Sequence, residues 1–269
     1  MLQAVARPGS VADAHSILAS RDSAVIIAGG TVVMPILNYG TDAFDTLVSL
    51  RASGLAGIRI AGGKATVGAM TTLSDLQAND ELGFLWEALD TIASPTVRNM
   101  ATLGGNLFVK QPYGDVAACL IALGASASIS GPSGERSEPV ERTVAAPLGR
   151  GEIVTSIDFA LPAAGTFRFC KAARKAFNSA AIVTVAAVVS VSGGKVAECR
   201  IGLGGVAASA IRAPSVEKAL ARKALDRASV EAAAREARHD ISPSDDAYAS
   251  AWYRARVTPV HIRRALLGE

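Results

Sequence analysis

A ten-residue stretch, VRNMATLGGN at residues 97–106, constrains this chain more than any other part of its sequence. The adjacent Gly104 and Gly105 stand between the polar side chains of Thr102 and Asn106. Because glycine has no Cβ, its backbone N–H groups can approach an anion that a larger residue would keep at a distance. The stretch therefore predicts a tight turn that binds an anionic group such as a phosphate.

A second glycine pair, Gly29 and Gly30, lies between an apolar run and Thr31 near the N-terminus. Free N–H groups at the start of a helix favour a phosphate. The pair alone is also typical of an ordinary strand-to-helix turn. It matches neither the Gly-x-Gly-x-x-Gly pattern of dinucleotide-binding domains nor a Walker loop. Together, the two glycine turns predict one phosphate-bearing ligand that is held from two sides.

The composition indicates a folded protein, since 50% of the 269 residues are hydrophobic and 19% are charged. The net charge of +3 lacks the clustering that is typical of nucleic-acid binding, so no nucleic acid is expected. The three cysteines match neither a metal motif nor a disulfide framework, which favours a reducing compartment. We see no signal peptide and no apolar run long enough to span a membrane, and we expect a cytoplasmic protein.

Apolar periodicity predicts both helices and strands along the chain. Residues 1–52 have a β-turn-α-β pattern with a helix over Thr31–Asn38. Beyond a boundary of small residues at 163–166, an antiparallel sheet backed by helices is expected. We also predict a helix over Leu82–Ala93, a polar loop over Gly131–Arg142, a strand or a helix over Ala180–Val191, and two separate helices over Ala247–Ala255 and Val260–Leu267.

The residue types that usually perform catalysis form no recognisable arrangement. No group of His, Cys, Asp and Glu has metal-ligand spacing, and no nucleophile elbow occurs. Asp115 could accept hydrogen bonds from ribose hydroxyls or could cap the helix that follows it. Lys171 and Arg174 could lie near a flavin or a phosphate, or could be surface charges. A ligand cradle without an acid, a base or a nucleophile is typical of a protein whose redox cofactor supplies the chemistry.

Several segments resemble those of one enzyme family. They are Ala28–Thr31 followed by Pro35, residues 97–107 followed by Pro112 and Asp115, an N-terminal Arg7-Pro8-x-Ser10, and a C-terminal run from Ser244 to Arg254. Over almost its whole length, the chain is similar to the FAD-binding medium subunit of molybdenum hydroxylases, the family of xanthine dehydrogenase and carbon monoxide dehydrogenase. The second glycine motif is the most specific part of this resemblance.

The resemblance implies an α+β fold. A p-cresol methylhydroxylase-type FAD-binding domain would occupy residues 1–162, with two α+β subdomains at about 1–52 and 53–162. A domain like the C-terminal domain of the carbon monoxide dehydrogenase flavoprotein, with a small antiparallel sheet and helices, would occupy residues 163–269. FAD would lie extended between these parts. Its binding would be non-covalent, because no His or Cys is placed beside either glycine turn.

The resemblance also assigns residues to the cofactor. The two glycine segments would contact the pyrophosphate and ribitol, Asp115 would bind a polar part of FAD, and the remaining residues would border the isoalloxazine. Val32 stands where the family has a polar residue, so its contact would be through the backbone. The implied cofactor-binding residues are Ala28, Gly29, Gly30, Thr31, Val32, Ile92, Ala101, Thr102, Gly104, Gly105, Asn106, Asp115, Ile153, Val154 and Lys171.

By the same resemblance, the chain is expected to be an electron-transfer subunit of an oxidoreductase. A large partner subunit would hold the molybdenum cofactor and a small one would hold 2Fe-2S clusters, in a dimer of heterotrimers. FAD would pass electrons to NAD, oxygen, a quinone or another acceptor. No catalytic residue, metal or iron–sulfur cluster is expected on this chain. Two alternatives stay open: a self-sufficient FAD oxidoreductase on the same fold, and a structural subunit that bridges its partners without a flavin.

Overall fold

The computed structural model describes residues 2–40, 44–176 and 178–269. The N-terminal part forms a three-stranded parallel sheet in the order β1-β3-β2. One helix follows β1 and another follows β2 along the chain. The elements are β1 (Ala4–Ala6), α1 (Val11–Ser20), β2 (Ala24–Ile27), α2 (Val33–Asn38) and β3 (Thr46–Ser49). Helix α2 begins later than the predicted Thr31, so the first glycine turn lies outside the helix.

A region of short elements follows. They are a 3-10 helix (Leu50–Ala52), β4 (Ile58–Ala61), β5 (Lys64–Gly68), α3 (Leu73–Gln77), a second 3-10 helix (Asp80–Leu85), α4 (Trp86–Asp90), α5 (Pro95–Arg98) and α6 (Leu103–Leu107). The prediction of one helix over Leu82–Ala93 is wrong. The 3-10 segment and α4 replace it, and the chain leaves helical geometry at Ala93, whose φ is 48°.

The next segment completes a five-stranded antiparallel sheet in the order β4-β5-β8-β6-β7. Its elements are α7 (Asp115–Ala122), β6 (Ser126–Gly131), β7 (Gly134–Pro139), α8 (Val140–Ala145) and β8 (Ile153–Ala160). The predicted polar loop over Gly131–Arg142 is therefore wrong, because it contains β7 and the start of α8. Strand β7 lies at the sheet edge and is largely exposed, which explains its lack of apolar alternation.

The C-terminal part contains a four-stranded antiparallel sheet in the order β12-β11-β10-β9. Its elements are β9 (Phe167–Ala173), β10 (Ala181–Ser192), β11 (Lys195–Gly204), β12 (Ile211–Arg212), α9 (Pro214–Leu220), α10 (Arg227–Ala234), a 3-10 helix (Arg235–His239) and α11 (Ala251–Leu267). Ala180–Val191 is thus mainly a strand. The predicted pair of C-terminal helices is wrong, because α11 continues through Pro259.

Helix α7 lies between the two antiparallel sheets. Its apolar side chains share one hydrophobic core with the five-stranded sheet, and the helix also contacts β10 and β11 of the four-stranded sheet. All of its residues are buried. The backbone of Gly202 in β11 lies directly against it, because a Cβ at this glycine would be 2.0 Å from the Ala118 carbonyl oxygen. At its C-terminal end, Arg200 Nε donates to the Ile121 carbonyl at 2.8 Å. The C-terminal sheet is therefore packed onto the helix that follows the second glycine motif.

Among the described residues, no helix is both long and apolar enough to cross a membrane.

Candidate functional site

Both glycine turns line one cavity of about 500 Å³, a size typical of small-molecule sites. The cavity lies between the first sheet, α6 and the segment 147–154. Its walls include apolar side chains such as Leu18, Ile26 and Met70. The predicted residues that the structure brings together here are Ala28, Gly29, Gly30, Thr31, Val32, Ala101, Thr102, Gly104, Gly105, Asn106, Ile153 and Val154.

The two turns are packed against each other through their small residues. A Cβ at Gly29 would lie 1.9 Å from the Met100 carbonyl oxygen and 3.1 Å from the Ala101 Cα. A Cβ at Gly105 would lie 3.6 Å from the Ala28 Cβ. Since a real Cβ atom essentially never lies within 3.0 Å of a non-bonded heavy atom, residue 29 must be glycine in this backbone arrangement. This packing places both turns on one side of the cavity.

The first turn presents free backbone donors. In residues 2–40, 44–176 and 178–269, the N–H groups of Gly30, Thr31 and Val32 donate to no backbone carbonyl. Gly30 has a φ of 76°, a conformation that glycine adopts without strain. Helix α2 follows at once, so the partial positive charge of its first turn adds to these donors. The turn is suited to an anionic group, and Val32 contributes through its backbone.

The second turn has a different construction. The N–H of Gly104 donates to the Ala69 carbonyl at 2.8 Å, and the N–H of Gly105 donates to Thr102 Oγ1 at 3.1 Å. Thr102 is therefore the N-cap of α6, and both glycine N–H groups are already bonded within the protein. A Cβ at Gly104 would lie 2.8 Å from the Ala69 Cβ, so this glycine permits close packing. The prediction of a tight turn whose glycine N–H groups bind an anion is therefore wrong here, because Gly104 and Gly105 lie in the first turn of α6 and the segment presents side chains to the cavity.

Asn106 is the polar side chain that this turn leaves unsatisfied. The residue is 7% exposed and lines the cavity, and its Oδ1 atom has no hydrogen-bond partner among the described residues. A buried polar atom without a partner costs free energy, which a hydrogen bond from a ligand donor would recover. Free N–H groups, an unsatisfied amide and apolar walls in one cavity fit an extended ligand such as FAD, which has phosphates, hydroxyls and an aromatic ring system.

One wall of the cavity is a segment that our sequence interpretation missed, residues 147–152. His15 holds it through Nδ1, 2.6 Å from the Gly151 carbonyl oxygen, and Arg150 forms an ion pair with Asp22. The hydrogen bond from Arg136 lowers the pKa of Glu152 below its usual value. Gly149 and Gly151 directly before the predicted Ile153 were the available signal for this wall.

Three predicted residues do not line this 500 Å³ cavity, which we call the main cavity because both glycine segments line it. Ile92 is 8% exposed and belongs to the hydrophobic core. Lys171 Nζ lies 2.7 Å from Asp115 Oδ2 in a buried ion pair, and the Thr184 hydroxyl donates to the other carboxylate oxygen. Asp115 makes no capping hydrogen bond, because the N-cap of α7 is Gly114. The alternative that Asp115 caps this helix is therefore wrong.

Lys171 reaches a second, smaller cavity of about 170 Å³. Thr91, Arg174 and Lys175 also line it. Lys171 donates to the Thr91 carbonyl at 3.1 Å as well as to Asp115. The side chain of Lys171 is 5% exposed, so the alternative of a surface charge is wrong for this residue.

Two family models together match nearly the whole chain. One is described as the FAD-binding domain in molybdopterin dehydrogenase and matches residues 2–163. The chain belongs to this family of FAD-binding proteins. The second model, described as the CO dehydrogenase flavoprotein C-terminal domain, matches residues 167–268.

Relatives in this FAD-binding family resemble the chain over nearly their full length. It is 32% identical to the carbon monoxide dehydrogenase medium chain of Afipia carboxidovorans, covering 97% of this chain and 94% of the relative. It is 28% identical to the glyceraldehyde dehydrogenase medium chain of Sulfolobus acidocaldarius, and the match covers 96% of this chain and 95% of the relative. The recognition of a molybdenum hydroxylase medium subunit is confirmed by these relatives.

Solved structures give the same result for the fold. A structure of Cu,Mo-CO dehydrogenase aligns with a TM-score of 0.92 at 32% identity, covering 99% of this chain and 98% of its own. Quinoline 2-oxidoreductase from Pseudomonas putida 86 aligns with a TM-score of 0.90 at 27% identity, and the match covers 100% of this chain and 96% of the other chain. The predicted α+β fold, the FAD cofactor and the oxidoreductase class are thereby confirmed.

Proposed function

We propose that this chain is the FAD-carrying electron-transfer subunit of a heterotrimeric molybdenum hydroxylase. Its partners would be a large subunit with the molybdenum cofactor and a small subunit with 2Fe-2S clusters, assembled as a dimer of heterotrimers. The names of its relatives support this, since several are medium chains or medium subunits of dehydrogenases and hydroxylases. Bound FAD would supply the redox chemistry, taking electrons from the clusters and passing them to NAD, oxygen, a quinone or another acceptor.

The observation that carries the proposal is the combination of donors and acceptors in the main cavity. The free N–H groups of Gly30, Thr31 and Val32 would bind the pyrophosphate. Asn106 would hydrogen-bond a polar group of FAD that satisfies its buried amide. The predicted residues along both turns, together with Ile153 and Val154, would enclose the ligand and exclude water.

The smaller cavity would receive the reactive end of the flavin. Lys171 would place a positive charge near the isoalloxazine and stabilise the reduced, anionic flavin. Asp115 would orient Lys171 through their ion pair, in addition to the predicted role of Asp115 toward FAD. Ile92 would support the ring from the core beneath it.

Reconstitution with FAD tests the proposal. The purified full chain is expected to bind added FAD and to show flavin absorbance after gel filtration. Co-expression with a large molybdenum subunit and a small iron–sulfur subunit is expected to yield one complex in which reduction of the clusters is followed by reduction of the flavin. Absence of flavin absorbance in both preparations would contradict the proposal and favour the structural bridging subunit.

The self-sufficient oxidoreductase gives a different result in the same experiment. That alternative requires the isolated, FAD-loaded chain to oxidise a substrate without partners. We expect no such turnover, since the proposed role of this chain is to bind the flavin and to adjust its potential.

We also propose a two-domain organisation and a cytoplasmic location for this chain. An FAD-binding domain at 1–162 and a C-terminal domain at 163–269 are supported by the separate antiparallel sheets on either side of the boundary. A cytoplasmic location is supported by Cys119, Cys170 and Cys199, which are all free thiols, as a reducing compartment favours.

A further inference from the structure

Arg98 is a buried cation that is not one of the FAD-binding residues described above. Its side chain is 9% exposed. Nη1 donates to the carbonyl oxygens of Ile92 at 2.9 Å and Ala93 at 3.4 Å, and Nε donates to Gln77 Oε1 at 3.2 Å. The Asp90 carboxylate lies 3.8 Å from Nη2 and accepts from Gln77 as well. A rigid, planar guanidinium is thus used to hold two consecutive backbone carbonyls.

The carbonyls belong to a turn that an alanine does not readily form. Ala93 has a φ of 48°, in the left-handed region that favours glycine. The hydrogen bonds from Arg98 favour this conformation over its relaxed alternatives. Thr91, which precedes Ile92, belongs to the same turn, and its carbonyl oxygen accepts a hydrogen bond from Lys171 Nζ at 3.1 Å. Arg98 therefore supports, from inside the protein, the backbone segment that accepts a hydrogen bond from Lys171.

Lys171 depends on that support for its position. Its ammonium has two hydrogen-bond acceptors in the part of the chain that the structure describes, the Asp115 carboxylate and the Thr91 carbonyl. A lysine ammonium is a point charge on a flexible stem, so the acceptors around it decide where the charge lies. Both Thr91 and Lys171 line the smaller cavity. Movement of the 91–93 turn would move the charge at this cavity.

We propose that Arg98 is a positioning residue that acts through the Thr91–Ala93 turn to fix the Lys171 ammonium at the smaller cavity, and thereby sets the reduction potential of the flavin. The proposal rests on the proposed function, since it requires a flavin close to Lys171. It assigns a redox role to a residue of the 97–106 motif that touches neither the main nor the smaller cavity.

A double-mutant cycle on the assembled, FAD-loaded complex tests this role. The variants are Arg98→Lys, Lys171→Met and the two combined, with Arg59→Lys as a control at an exposed arginine. The flavin potential is measured by spectroelectrochemistry, together with FAD content. We expect Lys171→Met to shift the equilibrium toward oxidised flavin about tenfold, which is about 30 mV for a two-electron couple. Arg98→Lys should shift it several-fold in the same direction.

The decisive result is the combined variant. If Arg98 acts through Lys171, the flavin potential of the double variant equals that of Lys171→Met alone. The reason is that Arg98→Lys then has no Lys171 ammonium to displace. Independent, additive shifts would overturn the proposal. A wild-type flavin potential in Arg98→Lys would also overturn the proposal. If the potential of Lys171→Met is nevertheless shifted, the proposed function stays intact. A wild-type complex that binds no FAD would refute the proposed function itself.

Milder substitutions keep the test informative if a variant does not assemble. Gln77→Met removes the hydrogen bond to Arg98 Nε and should give a smaller shift of the same sign. Lys171→Gln removes the positive charge but keeps a hydrogen-bond donor beside Asp115, and it replaces Lys171→Met in the cycle. The effect of Gln77→Met should again disappear in combination with it, and persistence of that effect would contradict the proposal.

Discussion

The backbone of Gly29 lies in contact with the carbonyl of Met100, where an added Cβ would be 1.9 Å from the oxygen and 2.7 Å from the carbonyl carbon. This contact joins two segments that are distant in the sequence. It keeps the free N–H groups of the first turn and the Asn106 side chain of the second motif at one cavity. The shape of the candidate FAD site therefore depends on a residue without a side chain.

Gly29→Ala is expected to separate the two turns. The added methyl group must displace the backbone at Met100, a form of overpacking that costs about 1–3 kcal/mol. We expect FAD affinity to fall at least tenfold, or about 1.4 kcal/mol, in a titration of the apoprotein followed by flavin fluorescence. Gly9→Ala is the control, since nothing lies within 4 Å of a Cβ there. Equal FAD affinity in the two variants would contradict the role of this contact.

Loss of one partner of the Asp115–Lys171 ion pair is expected to destabilise the protein. Their side chains are 6% and 5% exposed, so Lys171→Met leaves a buried carboxylate without its cation, at a cost of about 3–5 kcal/mol. The double variant Asp115→Leu/Lys171→Met should recover much of this loss, because no charge remains buried. Urea denaturation of the apoprotein measures both effects. A double variant no more stable than Lys171→Met would contradict the assignment of the loss to an unpaired, buried carboxylate.

The cavity wall around Glu152 is expected to weaken in acid. The Arg136 hydrogen bond lowers the pKa of Glu152 from 4.5, so the stability that this carboxylate contributes is present above pH 4.5 and is lost as the pH falls through its lowered value. Glu152→Gln should therefore be less stable than wild type at pH 6, and the difference should vanish toward pH 3. Urea denaturation over this pH range measures the difference. Glu135→Gln, at an exposed position, is the control. A difference that is independent of pH would contradict the assignment to this ion pair.

Local signals explain what the sequence could predict. Ser10 accepts from the N–H of Asp13, which makes it the cap of α1 as expected. The two glycine pairs and their polar neighbours mark the segments that line the main cavity. These features depend on a few adjacent residues, so a single sequence contains the necessary information.

Features that depend on distant contacts could not be predicted in the same way. Strand β7 has no apolar face of its own and is recognisable only through its pairing with β6. Helix α11 passes through Pro259 because buried residues such as Thr258 and Ile262 keep it packed on both sides of the proline. In the site, His15 contacts Gly151 across 136 residues, and the partner of Asp115 lies on a strand of the other sheet. No local pattern indicates such partners.

Asn106 offers a way to separate ligand binding from folding. Its buried Oδ1 has no partner among the described residues, so Asn106→Leu removes an unsatisfied polar atom and should leave the apoprotein equally stable or more stable. The same change removes an acceptor or donor for FAD, and we expect about tenfold weaker binding, the equivalent of one hydrogen bond.

The matched control for this change is Asn99→Leu in the same motif. Asn99 is exposed, and its amide oxygen accepts from Ser74 outside the cavity. Its substitution should leave FAD affinity unchanged. Thermal unfolding of the apoproteins and FAD titrations of both variants are compared. If Asn106 only maintains the fold, Asn106→Leu will destabilise the apoprotein by about 1–3 kcal/mol. Lower FAD affinity with undiminished apoprotein stability would support an amide that is directed at the ligand.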